Sequence, residues 1–242
     1  MWQGDRMTRP RRPAAVAAAA LLLAVTAAAC SGGDEGGEDE QTPREVLAEA
    51  KRVLDETSGV QLDLATPGLP DGVQGISGAT GVVTDAPAFE GEIEVVLSGT
   101  TFAVPVVAVD DKVFAQLPLT SGYQDIDPGE YNAPDPAGLV SGETGFSNLL
   151  TATTGVNEGE TVRGGENNEE VLTTYTGSVP GAAMKKVIPS SAGDSFDATY
   201  QVSDDGELRE ASFVGVFYPD SDEMTYTVTF DAYGTQREIT AP

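Results

Sequence analysis

The sequence predicts an α+β domain that is predominantly antiparallel β-sheet. Three observations support this fold class. One amphipathic helix with a complete N-terminal cap stands at the start of the domain. Most of the remaining chain is a series of short apolar runs, many alternating with a period of two residues and separated by Gly, Asp and Pro. The last three runs are joined by Asp-Asp-Gly and Pro-Asp turns, which are typical of hairpins.

The helix begins after Thr42, which is an N-cap residue followed by Pro43 at the first helical position and Glu45 at the third. This spacing is a capping box, in which the Thr and Glu side chains each bond the other residue's backbone N–H. Gly59 ends the helix. Its apolar face is formed by Val46, Leu47, Ala50, Val53 and Leu54.

The next part of the chain predicts a meander of strands. These are 60–64, 76–84, 88–97, 101–109 and 112–117. In the strand 88–97, residues 93, 95 and 97 are apolar and share one face, while Glu92 and Glu94 occupy the other. The following strand is apolar on both faces, which fits either a strand covered on both sides or one whose concave face lines an apolar space. Pro105 places that strand at an edge or a bulge.

A long loop over 121–136 separates the meander from the second half of the domain. Short helices are predicted near 137–140, 145–150 and 180–188, and strands at 156–163, 171–177, 195–202, 208–218 and 224–230. An additional edge strand is predicted at 236–240.

Residues 1–29 are typical of a secretory signal peptide, because four arginines precede an apolar stretch of about a dozen residues and then small residues. Cys30 follows Ala27-Ala28-Ala29, and this ending resembles a bacterial lipobox. The alternative is an ordinary signal peptide followed by a stray thiol. A single Cys has no partner for an internal disulfide in an exported protein. We therefore expect Cys30 to carry a covalent diacylglycerol and a fatty acyl group.

Two acyl chains hold a protein stably on a membrane. The expected location is therefore the outer face of the cytoplasmic membrane, in the cell envelope. The segment after Cys30, residues 31–41, is acidic, rich in Gly and without apolar residues, so residues 30–41 are interpreted as the lipidated Cys and a flexible tether. Such a tether reaches at most about 40 Å. Residues 42–242 are predicted to form one domain.

The charge and composition exclude several classes of function. A formal net charge of −26 repels nucleic acid and anionic lipid surfaces, so no nucleic-acid partner is expected and the membrane contact falls to the anchor. The chain has no histidine, which removes Ser-His-Asp and His-zinc chemistry. A carboxylate pair remains as an enzymatic option, but no pattern favours one. We predict no catalytic residue, no metal site and no other cofactor, and interpret the acidic segments 204–207 and 220–223 as turns.

Several short strings, in their order and spacing, resemble the mycobacterial LppX/LprG/LprA/LprF lipoprotein family. Beside the lipobox Cys30, they are LDL at 62–64, PGL at 67–69, IEVVLSG at 93–99, VFAQL at 113–117, DP at 127–128, GFSNLL at 145–150 and GSVP at 177–180. The resemblance implies a curved half-barrel sheet with helices packed against it, enclosing an apolar cavity. It also implies that this cavity takes the acyl chains of glycolipids, phospholipids, triacylglycerol or other multi-acylated lipids for transport across the envelope, and adds an efflux-type membrane transporter as a partner.

A lipid cavity in this fold would be lined by the apolar faces of the strands. The expected lining residues are Ile93, Val95, Leu97, Phe102, Val104, Val106, Phe213, Tyr226 and Val228. Two other functions stay open at this point. One is a structural or regulatory surface lipoprotein with a solid core. The other is the substrate-binding component of an importer, which a single β-rich domain disfavours because it lacks a second lobe.

Overall fold

The computed structural model describes residues 41–131, 133–142, 144–165 and 168–242. In these parts of the chain, eleven strands form one antiparallel sheet. They are β1 Gly59–Ala65, β2 Gly75–Thr84, β3 Ala88–Leu97, β4 Thr100–Val109, β5 Lys112–Ala115, β6 Gln124–Ile126, β7 Thr154–Gly164, β8 Glu170–Pro180, β9 Ser195–Ser203, β10 Leu208–Gly215 and β11 Met224–Asp231. The helices are α1 Pro43–Glu56, α2 Ser147–Ala152 and α3 Gly181–Val187, with 3-10 turns at Pro128–Tyr131 and Pro136–Gly138.

The sheet is an up-and-down arrangement that is not closed. Its strand order is β6-β5-β4-β3-β2-β1-β11-β10-β9-β8-β7, so β6 and β7 form its two edges. The link between the two halves is the pairing of the first strand with the last, in which Leu62 lies opposite Phe230 and Leu64 opposite Val228. This open antiparallel sheet with few helices is the half-barrel expected from the sequence.

The capping box forms as expected at the start of α1. The Thr42 hydroxyl accepts a hydrogen bond from the Glu45 backbone N–H, and the Glu45 carboxylate accepts one from the Thr42 backbone N–H at 2.8 Å. These hydrogen bonds from Thr42 lower the pKa of Glu45. The helix buries Leu47, Ala50 and Leu54, which are the apolar positions three and four residues apart.

One face of the sheet is apolar across nearly all strands, and we call it the inner face. Directly paired residues of antiparallel strands point to the same side, so the register defines this face. Successive cross-strand pairs place one residue from each strand in a continuous row of side chains on this face. From β4 to β9 it runs Val104, Ile93, Ala79, Leu64, Val228, Ala211 and Tyr200. The hydrophobic core is built on this face.

The helices cover the two halves of the inner face unequally. The contacts of α1 are with α2, β7 and β10, and those of α2 and α3 are with each other and with β8 and β9. Among the described helices and 3-10 turns, the element that mainly contacts β2, β3 and β4 is the short turn Pro136–Gly138, and loop residues such as Leu69 and Leu117 also pack against the core. The inner face is therefore covered by helices on β8–β10, while on β2–β4 it lies under a 3-10 turn and loops, and its coverage is thin toward the β3–β4 hairpin, where Leu97 is exposed.

A close approach between β2 and β3 depends on two glycines. Gly81 and Gly91 lie directly opposite each other, and the Phe89 ring lies over both on the inner face. A Cβ atom at Gly91 would stand 2.1 Å from the Thr80 carbonyl oxygen and 2.7 Å from the Phe89 ring. The ring fills the space that two missing side chains leave, and Phe89 is fully buried as a result.

The structure departs from the sequence prediction at several places. Strand β4, which contains Pro105, is neither an edge strand nor bulged, since it lies between β3 and β5 and pairs with β3 in regular register. Helix α1 ends at Glu56, before Gly59.

The predicted loop 121–136 contains the three-residue strand β6. Residues 236–240 do not form the predicted edge strand, because β11 already pairs with β1 and β10 and the chain beyond it has no free edge there. Strand β10 ends at Gly215 instead of 218, since the next carbonyl, that of Val216, accepts hydrogen bonds from the N–H groups of Ala192 and Gly193.

Candidate functional site

All nine residues that the sequence assigns to a lipid cavity lie on the inner face. Pairs across β3 and β4 join Ile93 to Val104 and Val95 to Phe102, and Phe213 lies opposite Tyr226 on β10 and β11. The other three belong to the same face by register: Leu97 pairs with Thr100, Val106 with Gly91 and Val228 with Ala211. The structure brings these positions onto one surface, while their role in lipid binding stays a prediction.

The exposure of these residues divides them into two groups. Val104, Val106, Phe213, Tyr226 and Val228 are buried in the core. Ile93, Val95 and Phe102 are partly buried against that core, and Leu97 is 42% exposed. We call Ile93, Val95, Leu97 and Phe102 the open strip. It lies toward the β3–β4 hairpin, where the coverage of the inner face is thin.

Aromatic side chains fill the other half of the inner face. Phe213 meets Tyr200 edge to face at 5.9 Å between ring centroids and stacks on Phe146 at 6.3 Å. The Phe217 ring centroid lies 4.8 Å from those of both Phe196 and Tyr226. Such tilted and edge-to-face pairs are favourable arrangements for buried rings. This half is a packed core, not an open space.

A group of hydroxyls lies where β1 ends between β2 and β11. Tyr226 donates to the Ile76 carbonyl oxygen, and the Tyr218 and Tyr226 hydroxyl oxygens are 2.9 Å apart. Burial, with the neighbouring Tyr218 as a second cause, raises the pKa of Tyr226, so this phenol stays neutral. The Ser77 hydroxyl is buried without a hydrogen-bond partner among the described residues. The Tyr226 proton is used in the bond to Ile76, so Tyr218 donates to Tyr226 and its oxygen keeps acceptor capacity, while the Ser77 hydroxyl can still donate to an ester or a hydroxyl. Val95, opposite Ile76, connects this group to the open strip.

Two clefts in the described part of the chain lie away from the open strip. One, of about 430 Å³, is bordered by the β2–β3 turn and the C-terminal residues 236–238. Beside it Arg237 forms a salt bridge with Glu90 at 2.7 Å. The other, of about 190 Å³, lies between the start of α1, the first half of β8 and the end of β9, where Gln41 and Gly206 border it. Neither cleft contains any of the nine predicted lining residues.

Two further observations concern metal binding and membrane spanning. Within 41–131, 133–142, 144–165 and 168–242, no group of three or more acidic side chains is placed to hold a metal ion. Over the same ranges, no helix has the length and apolar character needed to cross a membrane. The predicted lipidation site, Cys30, lies outside these ranges.

Sequence reasoning did not assign several residues that pack on the inner-face core or belong to the hydroxyl group. Ile76 pairs with Val95, and Leu69 and Leu117 pack against the core from loops. Tyr218 lies in the segment that was predicted as strand but leaves the sheet after Gly215. Loop residues have no periodicity from which a face can be assigned. The Pro-Gly-Leu-Pro string at 67–70 was the one local signal that a Leu stands in a turn.

Comparisons with known proteins give a family and two similar folds. The family model described as LppX_LprAFG lipoprotein matches residues 42–241. The crystal structure of LprF from Mycobacterium bovis is similar with a TM-score of 0.65 at 13% identity, covering 83% of this chain and 96% of that one. Lipoprotein LppX from Mycobacterium tuberculosis is similar with a TM-score of 0.59 at 18% identity, covering 82% of this chain and 98% of that one. No curated protein sequence matches the chain.

Proposed function

The chain belongs to the LppX/LprAFG lipoprotein family, and from this premise we propose that it is a lipid carrier of the cell envelope. In this proposal Cys30 anchors the protein on the outer face of the cytoplasmic membrane. The inner face of the half-barrel holds the acyl chains of a glycolipid or another multi-acylated lipid, and an efflux-type transporter supplies or receives that lipid. The protein performs no catalysis.

The observation that carries this proposal is the open strip. A solvent-exposed apolar surface is costly, yet β3 and β4 present four apolar side chains there that the helices leave partly uncovered. The strip joins the core directly, because Ile93 pairs with the buried Val104 on the same face. An acyl chain laid on the strip would therefore extend the existing core.

The physical need for a carrier is large. Transferring an acyl chain of about 16 carbons into water costs about 13 kcal/mol, at about 0.8 kcal/mol for each CH₂ group. A surface that covers the chain removes most of this cost. The Ser77 hydroxyl as a donor and the Tyr218 oxygen as an acceptor, both near Ile76, suit the ester or hydroxyl groups where an acyl chain joins its headgroup.

Ile93→Trp tests this proposal on the open strip itself. If the strip is a binding surface, the indole occupies part of the lipid space, so co-purifying lipid falls while the melting temperature stays near that of the wild type. If the strip belongs to a close-packed core, the larger ring destabilises the fold by about 1–3 kcal/mol. Val214→Trp is the matched control, because Val214 is 39% exposed and lies outside the inner-face rows.

A second candidate function is a structural or regulatory surface lipoprotein with a solid core. The aromatic packing around Phe213 and Phe217 favours it, because that half of the inner face is filled by the protein's own side chains. Under this function the Ile93→Trp variant would be clearly destabilised, and neither it nor the wild type would contain lipid. A destabilised variant together with a lipid-free wild type would reject the carrier proposal.

A further inference from the structure

The loop between β5 and β6 exposes an apolar side chain in an unfavourable backbone conformation. Leu119 is fully exposed and has a φ of 68°, in the left-handed region. Leucine rarely adopts this conformation, because its Cβ approaches the following carbonyl oxygen. Both the exposure and the backbone conformation of Leu119 are unfavourable in the isolated protein, and such features concentrate at functional positions.

The same loop is free of charge. From Gln116 to Gln124 there is no Asp, Glu, Lys or Arg, although 21% of the residues in the chain are charged. Besides Leu119, the segment exposes part of Tyr123, an aromatic residue with a polar tip. Leu with Tyr on an uncharged loop is the composition that suits the interface between lipid headgroups and acyl chains.

The loop and the first described residue lie toward different ends of the strands. Gln41 borders the cleft at the β9–β10 hairpin, with Ser203 and Gly206. The loop leaves the sheet beside the part of β4 that leads to the β3–β4 hairpin, since the Gln116 N–H donates to the Pro105 carbonyl oxygen at 2.9 Å. In this antiparallel sheet, β3 and β4 are joined at the end opposite to the β9–β10 hairpin. The β5–β6 loop therefore lies toward the end of the sheet opposite to Gln41, the first described residue.

We propose that the uncharged segment 116–124 docks the domain on the surface of a lipid bilayer, with Leu119 inserted among the acyl chains. The bilayer is favoured over a charged protein partner because the loop offers no ion-pair donor or acceptor. A neutral bilayer surface is favoured over an anionic one, because the net charge of −26 repels the latter. This docking does not depend on lipid being held on the inner face, so it can succeed or fail independently of the carrier function.

Leu119→Trp provides a direct reporter of insertion. The sequence has one Trp, Trp2, which precedes the domain. In a protein of residues 41–242, which contains the whole hydrophobic core and the family match from 42 to 241, the introduced Trp is therefore the only one. On addition of phosphatidylcholine vesicles, its emission shifts to shorter wavelength and is quenched by lipids brominated on their acyl chains.

Leu119→Asn tests the contribution of the native side chain without straining the loop, since Asn tolerates a positive φ. We expect its partitioning onto phosphatidylcholine vesicles to fall about tenfold or more relative to the wild type. Val162→Asn is the control, because Val162 is 39% exposed on β7, the opposite edge of the sheet, and its replacement leaves partitioning unchanged.

Three results would overturn the docking proposal. The first is an unshifted Trp emission at saturating phosphatidylcholine. The second is equal partitioning of the wild type and Leu119→Asn. The third is a shift that occurs without vesicles and grows with protein concentration, which would identify a second copy of the chain as the occupant. Binding that is stronger to vesicles containing phosphatidylglycerol than to neutral ones would contradict the charge argument.

Discussion

Tyr200 shows how single residues stabilise the filled half of the inner face. Its hydroxyl lies 2.7 Å from the Thr153 hydroxyl oxygen, and Thr153 in turn donates to the Leu149 carbonyl oxygen at 2.6 Å. Both side chains are buried. A buried polar group needs such partners, because leaving one unpaired costs more than the hydrogen bond itself contributes. The pair therefore fixes α2 against β9.

Tyr200→Phe is predicted to lower the free energy of unfolding by about 0.5–1.5 kcal/mol at neutral pH, since one hydrogen bond is lost while Thr153 keeps its bond to Leu149. Urea unfolding measures this difference, with Tyr131→Phe as a control at an exposed tyrosine. An unchanged or increased stability of Tyr200→Phe would show that its hydroxyl does not support the fold.

The same tyrosine predicts a pH dependence. Burial raises the pKa of Tyr200, while the hydrogen bond with Thr153 acts in the opposite direction and is weaker. A group with a raised pKa in the folded state contributes stability below its unfolded pKa, about 10 for Tyr, and loses that contribution as the pH rises further. As the pH rises above about 10, the free energy of unfolding of the wild type should therefore fall more steeply than that of the Tyr200→Phe variant. Parallel curves from unfolding at increasing pH would contradict this assignment.

Cys30 is a residue whose predicted role comes from the sequence alone. Replacing it with Ala removes the only thiol that can accept a lipid. The variant should either leave the membrane fraction or accumulate as unprocessed precursor, as measured by cell fractionation and mass of the product. A cleaved variant that stays bound to the membrane would show that the anchor lies elsewhere.

At the scale of elements, the regular parts could be predicted from the sequence because their signals are local. The capping box and the apolar spacing of α1 are complete within 14 residues. The alternation in β3 assigned Ile93 and Val95 to one face correctly, since the side-chain period of a strand is two. Strand β6 was missed because three residues, Gln124–Ile126, are too few to show a period. Its formation depends on pairing with β5, a contact between segments that sequence patterns do not report.

The close packing of β2 on β3 predicts different effects for two strand glycines. Gly91→Ala should lower the free energy of unfolding by about 1–3 kcal/mol, because the new methyl group would meet the Thr80 carbonyl oxygen and the Phe89 ring. At Gly159 on the edge strand β7 the nearest atom to a new Cβ is 3.4 Å away. Gly159→Ala should therefore change stability by no more than about 0.5 kcal/mol.

Chemical denaturation of both variants checks this pair. The comparison is matched, because each change adds one methyl group to a strand glycine. Equal destabilisation by the two substitutions would show that the Phe89 ring and the β2 backbone can move away from a side chain at Gly91.

At the scale of the whole molecule, the half-barrel has one side covered by helices and one side whose coverage is thin toward the β3–β4 hairpin. The pairing of β1 with β11 joins them, and the inner-face row runs through both. The sequence predicted which residues share this face, but not how far the helices extend over it. Coverage depends on where α1, α2 and the 136–138 turn pack, which is a property of the folded chain. The open strip is therefore a finding of the structure.

Lipid carriage requires that this open strip and the core beneath it accommodate acyl chains. It can be tested by mass spectrometry of organic extracts from the protein, purified without detergent from a cell that makes acylated lipids. For a carrier we expect a defined acylated lipid in near-stoichiometric amount in the wild type and a reduced amount in Ile93→Trp. Extracts that contain no lipid above the level of an unrelated protein purified in parallel would contradict a carrier function.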